Sequence, residues 1–153
     1  MKSKSDILFV NFPPWDFHHP PLAITYLENY SRKKGLNTKV LDLNIDFYAN
    51  CKSEDKTMWE IEEFVHWFDP GLFNKQMSRF PGIFEQSTNR ILKEKTKLIC
   101  IFSHAGNLNF IRETLKKVRL KSKTPIVVGG PGVVHKSLIK RIEDLVDFII
   151  LGK

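Results

Sequence analysis

A chain of 153 residues has room for one domain with its own hydrophobic core. Its composition, with 42% hydrophobic and 27% charged residues, is typical of a soluble globular protein. No apolar run approaches the roughly 20 residues of a membrane helix, and residues 1–6 are too polar for a signal peptide, so we expect a cytoplasmic protein without a membrane partner. With no export signal, Cys51 and Cys100 are expected to be reduced thiols.

Short apolar runs alternate with helical patterns along the chain, which predicts an α/β fold. We expect a Rossmann-like (flavodoxin-like) open sheet of about five mainly parallel strands with helices on both faces. The runs are rich in Ile, Leu, Val and Phe without strict alternation, as in strands buried on both faces. The predicted strands are residues 7–11, 38–42, 98–103, 126–129 and 148–151.

Apolar residues recur every three to four positions between these runs and predict the helices. The first helix is expected to end near Gly35, a natural helix terminator. Its stripe is Leu22, Tyr26, Leu27 and Tyr30; the later stripes are Leu108, Ile111, Leu115 and Val118, then Leu138, Ile142 and Leu145.

Residues 45–97 are too many for one crossover helix and predict an aromatic-rich helical insertion between strands two and three. One helix should carry Met58, Ile61, Val65 and Phe68 and stop at residues 69–71, and a second should run from Ile83 to about Lys95. The aromatic residues either pack the insertion onto the sheet or cover a ligand or partner. They are Trp59, Trp67, Phe73, Phe80 and Phe84. Residues 1–153 are expected to form a single domain.

Ligands of open parallel sheets bind at the carboxyl ends of the strands, so the loops there hold the candidate site. The candidates are Asn11, Pro13, Pro14, Trp15 and His18 after strand one, Ser103, His104 and Asn107 after strand three, Gly129, Gly130, Pro131 and Gly132 after strand four, and Gly152 after strand five. The prolines after strand one have no N–H with which to bind a phosphate. The sequence contains neither the G-x-G-x-x-G motif of dinucleotide-binding domains nor a P-loop. The ends of strands one and three carry Asn11 and Ser103, where a phosphoacceptor domain would have acidic residues. Nucleotide binding and phosphotransfer are therefore disfavoured.

Four segments form a recognisable pattern in their order along the chain: Pro20-Pro21-Leu22-Ala23-Ile24-Thr25-Tyr26-Leu27, Val40-Leu41-Asp42, Pro125-Ile126-Val127-Val128-Gly129-Gly130-Pro131 and Val146-Asp147-Phe148-Ile149-Ile150-Leu151-Gly152. Together they resemble the cobalamin-binding N-terminal domain of cobalamin-dependent radical S-adenosylmethionine (SAM) enzymes. Residues 20–27 (Pro-Pro-Leu-Ala-Ile-Thr-Tyr-Leu) resemble that family's Pro-Leu-Gly-Leu-x-Tyr-Leu helix, and residues 40–42 its Val-x-Asp strand end. Residues 125–131 resemble its strand-Gly-Gly-Pro segment, and residues 146–152 its Val-Asp-x-x-x-x-Gly segment. The likeness covers most of the chain outside the insertion.

This resemblance implies cobalamin as the cofactor, held by the candidate loop residues. Ser103, Gly129 and Gly130 would lie along its nucleotide tail. Asp16-Phe17-His18 matches the first part of the D-x-H-x-x-G motif of the wider cobalamin superfamily, which makes His18 a candidate cobalt ligand and a surface histidine the alternative. His104 would either contact the corrin or cap a helix.

The family's C-x-x-x-C-x-x-C triad and catalytic barrel have no counterpart here. The resemblance therefore implies a module that presents cobalamin to a radical SAM barrel domain, in the same or a separate chain, for methyl transfer or related radical chemistry. The iron–sulfur cluster and SAM would bind in that partner domain. We identify no catalytic residue in this chain.

Two other functions are open at this stage. Net charge is +7, so a nucleic-acid or polyanion partner is an alternative, although the apolar stripe places the basic residues on a solvated face without stacking aromatics. Those residues are Arg112, Lys116, Lys117, Arg119, Lys121 and Lys123. The other alternative is a protein-docking module that has lost the cofactor. A metal site built from His18, His19, His104 and His135 is not expected, because neighbouring histidines rarely reach one ion.

Overall fold

The computed structural model describes residues 4–152 and contains one five-stranded sheet, all of it parallel. The strands are β1 (Ser5–Asn11), β2 (Thr38–Asp42), β3 (Thr96–Phe102), β4 (Ile126–Gly129) and β5 (Phe148–Ile150). Their order across the sheet is β2-β1-β3-β4-β5, the flavodoxin-like order. The predicted fold class is thus confirmed, and each strand lies within two residues of its predicted bounds.

Seven α-helices connect the described strands, together with short 3-10 turns. They are α1 (Leu22–Lys33), α2 (Leu43–Asn50), α3 (Val65–Phe68), α4 (Pro70–Met77), α5 (Ile83–Lys93), α6 (Leu108–Lys121) and α7 (Lys136–Ile139). The 3-10 turns are Ser53–Trp59, Ile61–Glu63, Ala105–Asn107, Pro131–Val133 and Glu143–Leu145. Within residues 4–152, no helix has the length and apolarity needed to cross a bilayer.

Strand register assigns each side chain to one of two faces of the sheet, because directly paired residues of parallel strands share a face. Leu8 pairs with Ile99, which pairs with Ile126, and one step further Val10 pairs with Ile101 and Ile101 with Val128. These side chains are all buried and define the inner face. The outer face carries Leu98, Cys100, Phe102, Val127, Phe148 and Ile150.

The order of the strands determines which helices cover each face. From β1 to β2 the chain moves to one side of the sheet, whereas every later connection moves to the other side. Right-handed crossovers therefore place α1 on the outer face and the insertion, α6 and the segment after β4 on the inner face. The burial pattern agrees: Leu108, Ile111, Leu115 and Val118 of α6 are fully buried, as predicted from their spacing.

Aromatic packing holds the insertion to the inner face. The ring of Phe110 on α6 lies 5.0 Å from that of Phe84 and 5.8 Å from that of Phe47, between centroids. Trp67 is completely buried and donates its indole N–H to the Met58 carbonyl at 2.6 Å. For most of the insertion's aromatic residues, the packing interpretation is therefore correct.

The predicted helix through residues 58–68 is wrong. This segment consists of two 3-10 turns and the single turn of α3, and its predicted core residue Ile61 is 84% exposed. Residues 69–71 begin a helix: the Asp69 carboxylate accepts a hydrogen bond from the Leu72 N–H at 2.9 Å, and Pro70 occupies the first turn. An acid followed by proline is a strong helix start, so the break falls there.

Two other predicted stripes differ from the structure. The stripe at residues 138–145 is divided between α7 and a 3-10 turn, although Ile142 and Leu145 remain buried. On α1 the buried apolar residue is Ile24, whereas Leu22 and Tyr26 are each 71% exposed. The predicted end near Gly35 is confirmed, since α1 stops at Lys33 and Gly35 has φ of 83°.

The Phe110→Ala substitution should lower the free energy of unfolding by about 3–5 kcal/mol, because it removes a fully buried ring from the centre of the aromatic cluster. Urea denaturation monitored by tryptophan fluorescence measures this. Leu120→Ala on the same helix is the control, since Leu120 is 85% exposed; equal losses for the two variants would contradict the assigned core.

Candidate functional site

The connection from β1 leads to one side of the sheet and all later connections lead to the other, so neighbouring strands β1 and β3 form the topological switch point. A cleft of about 640 Å³ opens there at the carboxyl ends of the strands. This is where doubly wound sheets bind ligands, and the volume is in the usual range for a small-molecule site. We call it the switch-point cleft. Its lining residues are Pro14, Trp15, Asp16, Phe17, His18, Trp59, Glu60, Ile61, Glu62, Phe64 and His104.

Aromatic rings form the walls of the switch-point cleft. On one side the His104 ring lies 5.7 Å from that of Trp15 and is stacked 6.2 Å from that of Phe64. On the other side the ring of Phe17 lies 6.0 Å from that of Trp59. Walls of this kind offer flat apolar surfaces to a ligand.

One buried amide joins the two sides of the cleft. Asn44, at the start of α2, is 1% exposed. Its Oδ1 accepts hydrogen bonds from the backbone N–H of Trp15 at 3.0 Å and from the indole N–H of Trp59 at 2.7 Å. Its Nδ2 donates to the backbone carbonyl of Trp15 at 3.1 Å. The loop after β1 and the insertion are therefore fixed to the same side chain.

His104 is held by both ring nitrogens. Its Nε2–H donates to the Pro14 carbonyl at 2.9 Å, and its Nδ1 accepts from the Gly106 N–H at 3.2 Å. Its own N–H donates to the Asn107 side chain, which completes a cap on the 3-10 turn before α6. Burial lowers the pKa of His104. His104 caps a helix and offers the cleft only the face of its ring.

His18 is the exposed histidine of the cleft. Within the described residues its imidazole has no hydrogen-bond partner, whereas the His19 imidazole is paired with Asp16. That hydrogen bond from His19, together with one from the His18 N–H, lowers the pKa of Asp16. Both nitrogens of His18 are thus available to a ligand.

The Gly-Gly-Pro-Gly turn packs against the loop after β3. The Ser103 hydroxyl is buried and donates to the Gly129 carbonyl at 3.1 Å. A Cβ on Gly130, whose φ is 108°, would lie 2.5 Å from the Ser103 carbonyl oxygen, and one on Gly132 would lie 2.8 Å from the His104 backbone. Glycine is required at Gly130 and Gly132 because the two loops are in close contact there.

The structure unites only part of the predicted site. Pro14, Trp15, His18 and His104 line the cleft. The others lie elsewhere: Asn11, Pro13, Ser103, Asn107 and Gly132 are buried, Gly129 and Gly130 are half-buried in the turn, Pro131 is exposed on it, and Gly152 follows the edge strand β5. Asn11 donates to the Asp42 carboxylate at 3.2 Å across the ends of β1 and β2.

Sequence reasoning did not assign the insertion's share of the cleft. Trp59, Glu60, Ile61, Glu62 and Phe64 are the lining residues that the insertion contributes. The sequence indicates this contribution through the concentration of aromatic residues between positions 59 and 84. The structure is needed to separate the aromatic residues that line the cleft from those in the core.

The basic segment at residues 112–123, in α6 and just after it, is largely neutralised. Five of its six cations pair with carboxylates. The pairs are Arg112 with Asp144, Lys116 with Glu113, Lys117 and Lys121 with Glu85, and Arg119 with Asp147. Paired cations have less to offer a phosphate backbone, which disfavours the polyanion alternative. Among the described residues, no three His, Cys, Asp or Glu side chains are grouped to hold a metal ion.

A second cleft, of about 440 Å³, lies between α2 and α5. Its polar centre is the ion pair of Arg90 with Asp46, at 2.8 Å. None of the predicted site residues lines it. The switch-point cleft therefore remains the candidate site.

Comparison of the chain with family models, curated proteins and solved structures finds no match. What the geometry defines is a doubly wound α/β domain with an aromatic cleft at its switch point.

The Asn44→Ala substitution should destabilise the domain by about 2–3 kcal/mol, because it leaves the backbone N–H of Trp15 and the indole N–H of Trp59 without their acceptor. Loss of the hydrogen bond to the Trp59 indole should also shift tryptophan emission to the red. Asn50→Ala on the same helix is the control, since Asn50 is exposed and bonds only within α2. An unchanged emission spectrum for Asn44→Ala would contradict its assigned role.

Stability should fall as the pH is lowered from about 7 to 5. The ordinary pKa of histidine is 6.5 and burial lowers that of His104, so the unfolded chain takes up a proton that the folded chain resists. Denaturant titrations at several pH values should show a shallower dependence for His104→Gln. The matched control is His135→Gln, at an exposed histidine outside the cleft; equal slopes for all three proteins would refute the assignment.

Proposed function

We propose that this domain binds cobalamin in the switch-point cleft and presents the corrinoid to a radical SAM domain. The observation that carries the proposal is an aromatic-walled cleft at the β1/β3 switch point whose first loop contains prolines in place of phosphate-binding N–H groups. The sequence resemblance points to the same cofactor. The bound cobalt would carry a methyl group or take part in related radical chemistry.

The lining residues fit one face of a corrin ring. Trp15, Trp59 and Phe64 offer broad apolar surfaces. The carboxylates of Asp16, Glu60 and Glu62 can accept hydrogen bonds from the amide groups at the ring's edge. Because a whole cobalamin is larger than this cleft, its other face would remain free for the partner domain. Ile61 and Phe64, both exposed, lie where that domain would make contact.

The charge of the cleft supports a ligand of this type. Three carboxylates and no Lys or Arg line it, although the chain carries a net charge of +7. A free nucleotide or another polyanion would be repelled there. A corrin has neutral amides and a cationic cobalt centre, so it is electrostatically compatible with the site.

His18 is the residue that we propose as the cobalt ligand. It lines the cleft, and its imidazole is exposed and unpartnered within the described residues. A neutral imidazole is a good ligand for transition metals. His104 is unsuitable, because both of its nitrogens are already hydrogen-bonded.

The nucleotide tail is the one part of cobalamin for which the resemblance and the structure disagree. Of the three residues implied for the tail, Ser103 is fully buried and its hydroxyl is bonded to the Gly129 carbonyl, so it is not accessible to the tail. Recognition in this domain would therefore rest on the ring, and a corrinoid without the tail should bind as well as cobalamin does.

Visible spectra and tryptophan quenching during titration with hydroxocobalamin and with diaquocobinamide, which lacks the nucleotide tail, test the proposal. We expect saturable binding of both, with affinities within about tenfold of each other. His18→Ala should abolish the spectral signature of a histidine ligand on cobinamide, and His19→Ala should leave it intact, since His19 is paired with Asp16 in the same loop.

Spectra of the free corrinoids and unquenched tryptophans at high protein concentration would reject the proposed function. Binding that survives Trp15→Ala combined with Trp59→Ala would reject the cleft as the site. Binding with an unchanged spectrum in His18→Ala would reject only the cobalt ligand.

A further inference from the structure

A smaller pocket, of about 300 Å³, opens where α4, α6 and the two residues after α7 meet. Its volume is at the lower end of the range for small-molecule sites. None of its lining residues lines the switch-point cleft. We call it the arginine pocket. The polar residues that line it are Asn74, Asn109, Arg112, Glu113, Lys140 and Arg141.

The lining of the arginine pocket carries an excess of positive charge. Arg112, Lys140 and Arg141 are three cations, and Glu113 is the one carboxylate among the lining residues. That carboxylate is already bound by Lys116, at 2.6 Å. Like charges held close together repel each other, so an anion in this pocket would stabilise the folded protein.

Arg141 is half-buried and forms no ion pair with the described residues. Of its five side-chain N–H donors, one bonds to a protein acceptor there: Nη2 donates to the Asn109 Oδ1 at 2.6 Å. Burial lowers the pKa of Arg141, and the nearby charge of Arg112 lowers it further, against an opposing effect of Asp69. A partly desolvated guanidinium with free donors favours an anionic ligand.

The insertion holds the Arg141 guanidinium in position. Asn109 is buried, and its Nδ2 donates to the backbone carbonyls of Trp67 and Phe68 at 2.8 and 3.1 Å. These bonds direct its Oδ1 to Arg141. The guanidinium also lies over the Phe68 ring, 6.0 Å from the centroid. Arg141 is therefore ordered before a ligand binds, which reduces the entropy lost on binding.

Arg112 brings a second guanidinium with free donors to the pocket. Its Nη1 donates to the Arg141 backbone carbonyl and to the Asp144 carboxylate, the latter at 3.1 Å. Both contacts use the same nitrogen, so its Nη2 and Nε have no acceptor among the described residues. Lys140 is exposed and forms no ion pair in that part of the chain. Three cationic groups with free donors thus line one small pocket.

We propose that the arginine pocket binds a phosphate group, either inorganic phosphate or the phosphate of a small ester. Arg112 and Arg141 would donate through the edges of their guanidinium groups, and Lys140 through its ammonium group. A phosphate group offers three acceptor oxygens and up to two negative charges, whereas a carboxylate offers two oxygens in one plane and one charge. Three separate cations therefore match phosphate better. This site does not depend on the function proposed for the switch-point cleft.

Isothermal titration calorimetry of the whole chain at constant ionic strength tests the proposal, with inorganic phosphate, glycerol 3-phosphate and acetate as probes. We expect saturable one-to-one binding of a phosphate probe and no saturable binding of acetate. Arg141→Gln should weaken phosphate binding by about tenfold, and Lys140→Gln should weaken it several-fold. The matched control is Lys136→Gln, which removes the same charge from an exposed residue of α7 outside the pocket. This control should keep wild-type affinity.

The two phosphate probes distinguish the sources of the group: tighter binding of glycerol 3-phosphate identifies an ester, and equal or tighter binding of inorganic phosphate identifies the free ion. Acetate that binds as tightly as phosphate would overturn the proposal. So would equal losses in Lys136→Gln and Lys140→Gln, because only the net charge of the chain would then matter. Wild-type affinity in both pocket variants, or no saturable phosphate binding, would also overturn it. Since Lys140 is exposed, circular dichroism should show wild-type folding for Lys140→Gln.

Discussion

The hydrogen bonds of the Asn44 amide determine the form of the candidate site. Trp15 belongs to a loop that leaves the sheet after β1, and Trp59 belongs to an insertion with little regular structure around it. The Trp15 indole donates to the His19 carbonyl within its own loop at 2.9 Å, but that loop still has to be held against the insertion. A single buried side chain at the start of α2 bonds to both, and α2 is itself fixed by the Asp42 cap on the Ile45 N–H. The cleft therefore depends on where β2 ends, and so on the register of the sheet.

The parts of this fold that could be predicted from sequence are those governed by periodicity. The stripe of Leu108, Ile111, Leu115 and Val118 predicts a helix and its buried side correctly, because no cap or proline interrupts it. At residues 58–68 the same spacing is misleading. Asp69 and Pro70 start a new helix there, and the indole of Trp67 bonds to the Met58 carbonyl, so the chain before it turns back on itself. Local capping and one buried hydrogen bond outweigh four apolar residues at helical spacing.

The candidate site could be placed from sequence, but only four of its eleven lining residues could be identified. Topology brings the loops after β1 and β3 together, so Trp15, His18 and His104 were identified by position alone. The glycines after β4 were equally well placed, yet they serve contact between loops, since a Cβ on Gly130 would overlap the Ser103 carbonyl. A glycine in a strand-end turn has the same sequence signature whether a ligand or another loop approaches it, so the structure was needed to separate the two cases.

The inner face, the outer face and the carboxyl edge of the sheet are suited to different roles: packing of the core, contact with a partner and binding of a ligand. The inner face is filled by the insertion and α6, and leaves no room for a ligand. The carboxyl edge holds the switch-point cleft, where an acidic aromatic surface in a basic chain selects against anions. The outer face is apolar and holds a single helix. An apolar surface of this size and a ligand cleft are both costly to leave in water, and because they lie on different sides of the sheet, each can be covered without blocking the other.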